Sequence, residues 1–197
     1  DRKFGIGADG LMLLENVDGY DFKMVYFNAD GNESSMCGNG GRCLSAFAFS
    51  RGMFDEKCKF IAIDGEHEAV VQKTEDEKVY WVSLKMMDVN EVKIQNDHLE
   101  IDTGSPHYLK FVDSVKSVDV FSEGKTIRNS APFVEKGINV NFLEMEDGVL
   151  KVRTYERGVE DETLSCGTGV TASALAASVQ GLLGEENICK LETEGGN

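Results

Sequence analysis

The chain has 197 residues, 41% hydrophobic and 9% aromatic, enough to bury one large core or two small ones. Its net charge of -15 leaves no basic stripe for nucleic acid or an anionic membrane surface, and no apolar run reaches the roughly 20 residues of a membrane span. Five cysteines, an odd number without framework spacing, point to free thiols in a reducing compartment, the cytoplasm by default.

In chain order, short β-branched or aromatic segments bounded by Gly, Asp or Asn predict strands at Phe22 to Phe27, Phe60 to Ile63, Glu68 to Val71, Val79 to Leu84, Ile138 to Leu143 and Val149 to Tyr155. Two helices are predicted, roughly Gly38 to Arg51 and Gly167 to Gln180. Both carry apolar or small residues on nearly every face, as a helix surrounded by sheet would. With two prolines and no low-complexity stretch there is no flexible linker. The expected fold is α/β (α+β), with two pseudo-symmetric domains, 1–86 and 87–197, each a curved barrel-like sheet wrapped around a central helix. No signal peptide is visible in a chain that opens on Asp1 rather than Met.

The sequence repeats itself. Glu33-Ser34-Ser35-Met36-Cys37-Gly38-Asn39-Gly40 returns 129 residues later as Glu162-Thr163-Leu164-Ser165-Cys166-Gly167-Thr168-Gly169, and each copy opens a predicted helix. A thiol there meets unpaired N–H groups and the positive end of the helix dipole, which lower its pKa toward neutrality. The neighbouring glycines let backbone approach a carboxylate closely. One such cysteine could be an ordinary packing residue. A duplicated one suggests two thiols serving one ligand, able to remove a proton from one face of a carbon and deliver one to the other. Cys43, Cys58 and Cys189 have no glycine nest and no echo, and are read as packing residues.

Other chemistries fit less well. Cys37 and Cys43 are six apart and His67, His98 and His107 form no useful pair, so no metal site is expected. A Cys–His hydrolase through His107 would leave the second C-G-T-G unexplained, and a redox pair would want C-x-x-C. Asn28-Ala29-Asp30-Gly31 is a polar turn after a strand, and Glu156-Arg157-Gly158 takes the matching place before Cys166. An arginine at a sheet end beside an anion clamp suits a second carboxylate, gripped in bidentate fashion. Asn139 and Asn141 are amides in an apolar strand, either satisfied core groups or donors to a ligand.

At these residues the chain resembles the diaminopimelate epimerases, pyridoxal-independent amino-acid epimerases. The matching segments are D-R-K-F-G-I-G-A-D-G-L, F-N-A-D-G-N-E, M-C-G-N-G-G-R-C, G-S-P-H, G-I-N-V-N-F, Y-E-R-G-V-E-D-E-T-L-S-C-G-T-G and E-T-E-G-G-N. They run from end to end in family order. The resemblance implies two pseudo-symmetric domains with diaminopimelate in a cleft between them, no cofactor, no metal, and an arrangement compatible with a homodimer. It makes Cys37 and Cys166 the catalytic pair, Cys37 being the base toward the L,L isomer and Cys166 the acid. Asn28, Asn139, Glu156 and Arg157 match substrate-binding positions. Gly38, Asn39, Gly167 and Thr168 match the groups that hold the reacting α-carboxylate. Ser105 and His107 are further candidates.

Three departures stand out. Ser105 replaces the family's usual Asn before Pro-His, and its shorter side chain would need a water to reach a ligand. One extra residue lies within Val159 to Glu162. The family's opening strand with G-x-G-N-D-F, and its closing strands after E-T-E-G-G-N, are not among these residues, so the first lobe is expected to be incomplete at its N-terminus and the second to lack its last strands. The alternatives are a proline or hydroxyproline racemase-type enzyme, which usually has His where this chain has Asn39, a phenazine-biosynthesis-like isomerase, which generally lacks both cysteines, and a non-catalytic amino-acid-binding module, which would need neither thiol.

Overall fold

The structure, a computed structural model, describes residues 6–8, 10–28, 31–34, 36–185 and 188–196. Two compact units divide the chain, Asp1–Met87 and Asp88–Asn197.

The first unit contains β1 (Gly10–Glu15), β2 (Phe22–Asn28), α1 (Gly38–Ser50), β3 (Lys57–Ala62), β4 (Gly65–Lys73) and β5 (Tyr80–Leu84), with the strands in the order β1-β2-β3-β4-β5. Only β2 and β3 are parallel, joined by α1 as the crossover such a pair requires. The curled sheet wraps α1, which touches β1, β2, β4 and β5. Phe22, Met24, Leu44, Ala48, Phe60 and Ala69 form the core between them.

The second unit contains β6 (Val92–Ile94), β7 (Leu99–Asp102), β8 (Pro106–Phe111), α2 (Val120–Arg128), β9 (Asn139–Glu146), β10 (Val149–Glu156), β11 (Asp161–Thr163), α3 (Gly167–Val179) and β12 (Lys190–Thr193). The sheet order is β11-β10-β9-β8-β7-β6, with β12 also pairing with β10, in parallel. Here α3 is the crossover between parallel neighbours, as α1 is in the first unit. Alternation along the strands sorts two cores. Leu109, Leu143, Leu150 and Val152 face α3, whereas Tyr108, Val140, Phe142 and Tyr155 pack with Val120 of α2 on the opposite face.

The helix α2 is a second helix in this unit, beyond the one central helix expected. Val120, Gly124 and Ile127, at i, i+4 and i+7, form its inward face, but in a stretch of only nine residues. Its closest approach is at Gly124, where a Cβ would come within 2.7 Å of the Tyr155 ring. Asp119 caps it by accepting the Ser122 N–H at 3.1 Å. A second correction concerns Cys43, which is exposed rather than packed. It shares the outward stripe of α1 with Phe47 and Ser50, while Gly40, Gly41, Leu44, Ser45 and Ala48 face the core. Cys58 is buried and Cys189 partly so, as packing residues; burial pushes both thiols up. Among the described residues no helix is long and apolar enough to cross a membrane.

Candidate active site

Both repeated cysteines are helix N-caps with extended backbone, Cys37 at φ -103° and Cys166 at φ -114°, each before a 13-residue helix. The Gly40 N–H lies 3.5 Å from the Cys37 sulfur, and the Thr168 hydroxyl lies 3.5 Å from that of Cys166. The backbone follows suit: Gly41 donates to the Cys37 carbonyl and Val170 to that of Cys166. The N–H groups of Gly38, Asn39, Gly167 and Thr168 are those a helix start leaves without an intrahelical partner.

The second glycine of each C-G-x-G has a packing reason that the sequence does not display. A Cβ on Gly40 would collide with the Met12 methyl, and one on Gly169 would lie 2.6 Å from Asn141 Oδ1 and 3.3 Å from His107 Cε1. The close approach that these two glycines allow is to protein side chains. Gly169→Ala is therefore expected to cost about 1–3 kcal/mol of stability through forced repacking. Gly40→Ala should cost less, because the end of a methionine side chain yields more easily than a hydrogen-bonded amide. Side-by-side thermal melts check this, and equal losses would contradict it.

In the first unit Asn28 ends β2, nine residues before Cys37, and its backbone closes the following turn with Gly31 and Asn32. Ala29 and Asp30 of that turn, and the D-R-K-F-G opening, lie outside the described residues. Asn39 is half-buried, and Arg42 donates to its side-chain oxygen.

In the second unit several sequence candidates meet. Asn139 is buried, donates to Ser105 Oγ at 2.8 Å and the Pro106 carbonyl at 3.2 Å, and accepts the Arg157 N–H at 2.8 Å. Arg157 reaches the Lys136 carbonyl at 3.0 Å and Ser105 Oγ at 3.4 Å. Ser105 is thus turned into the protein as a bridge between Asn139 and Arg157. Glu156, the last residue of β10, accepts the Thr163 hydroxyl at 2.9 Å. Arg157 is partly buried, which lowers its pKa, as does nearby Arg128. In this loop Glu160 takes a left-handed φ of 58°.

His107 is fully buried and held down to about 3 by that burial, with Arg157 adding to the effect, so its ring is neutral. It meets Thr168 Oγ1 at 2.9 Å and Asn141 at 3.0 Å. A Cys–His pairing is thereby replaced by an intervening threonine. Asn141 and Thr154 also belong to this cluster; alternation already puts Asn141 on the face of Asn139, but Thr154 carries no such signal. Among the described residues no group of three His, Cys, Asp or Glu side chains is placed to hold a metal.

The sequence profile of diaminopimelate epimerase matches residues 1–90 and 100–197. The chain belongs to the diaminopimelate epimerase family. The family's Flavobacterium psychrophilum enzyme is 49% identical over 197 residues, covering 100% of this chain and 75% of that one. The Aquifex aeolicus enzyme is 39% identical, covering 97% and 71%. Membership makes the chain an isomerase of the epimerase type. Among solved structures, a hydroxyproline epimerase from Agrobacterium vitis aligns with a TM-score of 0.73 at 17% identity, over 95% of this chain and 65% of that chain. A phenazine biosynthesis protein of Bacillus anthracis aligns at 0.65 and 14% identity, over 96% and 73%. At these identities the likeness shows the fold alone, shared by the epimerase family, the proline-type epimerases and the phenazine proteins.

Proposed function

We propose that this chain interconverts L,L- and meso-diaminopimelate without a cofactor, in the cytoplasm, in the supply of lysine and peptidoglycan precursors. Cys37 and Cys166 are the acid–base pair. The observation that carries the reading is the repeated one: each unit presents one thiol as the N-cap of a helix that crosses between parallel strands.

The chemistry follows from the acidity problem. An amino-acid α-proton is very weakly acidic, and most racemases use pyridoxal phosphate as an electron sink. Here the growing charge falls on the α-carboxylate, met by the helix-start N–H groups of Gly38, Asn39, Gly167 and Thr168. From the L,L side Cys37 thiolate takes the proton and Cys166 thiol gives one to the opposite face; from the meso side the roles exchange. Each turnover leaves the two sulfurs with their protonation reversed. Asn28, Asn139, Glu156 and Arg157 bind the rest of the substrate, so that remote binding energy supports the reacting centre.

The test is turnover of L,L-diaminopimelate in deuterium oxide. Early in the reaction, solvent deuterium should appear at the inverted α-carbon of the meso product, with the unreacted L,L isomer still carrying hydrogen. Inversion without solvent deuterium would overturn the mechanism.

A further inference from the structure

We infer that Glu160 is a positioning residue for Arg157: its carboxylate clamps the turn that carries this arginine and neutralises Arg128, a second guanidinium packed beside it. The purpose of the clamp rests on the reading that Arg157 meets the distal end of the substrate; its existence rests on geometry alone.

Two guanidinium groups crowd one glycine. Gly137 has a φ of 69°, and a Cβ built on it would lie 2.7 Å from Arg157 Cδ and 2.9 Å from Arg128 Cζ. Both cations also reach carbonyls of one short segment, Arg128 that of Val134 at 3.4 Å and Arg157 that of Lys136 at 3.0 Å. Like charges so placed repel. Neither can retreat far, because Arg128 is the last residue of α2 and Arg157 directly follows β10. Glu160 supplies the anion. One of its carboxylate oxygens accepts from Arg128 Nε at 3.0 Å and from the Gly158 N–H at 3.1 Å. The other accepts the Tyr155 hydroxyl at 3.1 Å. The Glu160 N–H closes the turn by donating to the Glu156 carbonyl at 2.8 Å. One side chain therefore ties together the end of α2, the residue two before Arg157 and the residue after it.

The surroundings suit a fixed role. A left-handed backbone such as that of Glu160 is uncommon for glutamate and persists where contacts hold it. Glu160 itself is exposed, but Tyr155 is buried against Val120 of α2, so the clamp is anchored in the interior. A lone exposed ion pair would contribute little to stability. Three donors converging on one carboxylate instead fix the shape of the turn. The charges around Arg157 divide accordingly: Arg128 disfavours its cation, whereas Asp102 of β7 and Glu160 favour it. Without Glu160, Arg128 would act on Arg157 uncompensated, and the Gly158 end of the turn would lose its tether.

Hydrogen exchange of the full chain tests the clamp without substrate. Glu160→Asn suits the left-handed backbone and is one methylene too short to hold all three donors. In it the Gly158 amide should exchange at least about tenfold faster, with the amides of α3 unmoved. An unchanged Gly158 amide overturns the inference. Turnover of L,L-diaminopimelate then tests the purpose. Glu160→Asn should lower kcat/KM by about tenfold in the parent, but by less than about twofold where Arg157 is already lysine, because the clamp acts through that arginine. Adding Arg128→Met to Glu160→Asn should recover at least about threefold, since it removes the charge that Glu160 neutralises. Equal losses in the parent and in Arg157→Lys would mean general damage to the fold, and no recovery with Arg128→Met would mean that its charge is not opposed by Glu160; either overturns the inference. Were Arg157→Lys as active as the parent, the reading of the distal site would fall, and Gly158 exchange would still decide the clamp.

Discussion

Cys166→Ala is expected to lose epimerisation in both directions, by at least about 10⁴-fold in kcat/KM, while keeping a one-sided proton exchange. A positioned acid or base contributes roughly 10²–10⁴-fold, and here each direction needs one of each, so no bypass within the site remains. The two half-reactions separate, however. With Cys37 intact, the L,L isomer should still wash deuterium into its α-carbon without inverting, because the base faces the proton that isomer presents. The D centre of the meso isomer should not exchange. Cys37→Ala should show the opposite pattern, with exchange into the meso isomer alone. Both patterns are read by mass spectrometry and proton spectra of recovered substrate. A Cys166→Ala protein that still inverts its substrate at near the parent rate would defeat the paired-thiol mechanism. Cys58→Ala is the control: that buried thiol sits in the core of the first unit, where burial holds it protonated. Its loss should lower stability and leave catalysis within a few fold.

The helix starts were legible because their chemistry is local. A cysteine, two glycines and the apolar stretch behind them specify an N-cap and a crossover helix within one window of sequence, twice. Asn139 and Asn141 were legible as a pair on one face because strands alternate. What escaped was whatever depends on a neighbour distant in the chain. His107 contacts Thr168 across 61 residues and Asn141 across 34, and nothing near His107 in sequence announces either. The same holds for Gly169, whose reason is the Asn141 amide, and for Gly124, whose reason is Tyr155. Cys43 misled for the opposite cause. Helix α1 is apolar on so many faces that its composition does not say which side turns to the sheet, and the exposed stripe took Cys43 and Phe47 with it. Ser105 looked like a ligand group cut short, yet it links two other candidates, Asn139 and Arg157.

That link bears on Arg157→Lys, where we expect a loss of about 2–3 kcal/mol in transition-state stabilisation, or roughly 30- to 150-fold in kcat/KM. The guanidinium already divides its donors between the Lys136 carbonyl and Ser105 Oγ, in a planar fork oriented from the Asn139-anchored backbone. An ammonium group is a point charge and cannot hold those partners while also presenting two parallel donors to a carboxylate. The loss should fall on diaminopimelate, with its distal amino-carboxylate, and proline, which has none, should not be turned over by the parent. Measurable proline racemisation would instead favour the proline-type reading of this fold. The pH profile adds an independent signature. Burial first, and then the positive charge of Arg128, push a cation at this position toward its neutral form. Arginine starts so high that it stays charged through the working range, whereas lysine starts near 10.4. Since the shift is downward, the lysine variant loses its charge as pH rises, at a lower pH than free lysine would. Its activity should therefore fall on the alkaline side before that of the parent. Matching alkaline limbs in the two proteins would mean that the charge at this position does not meet the substrate.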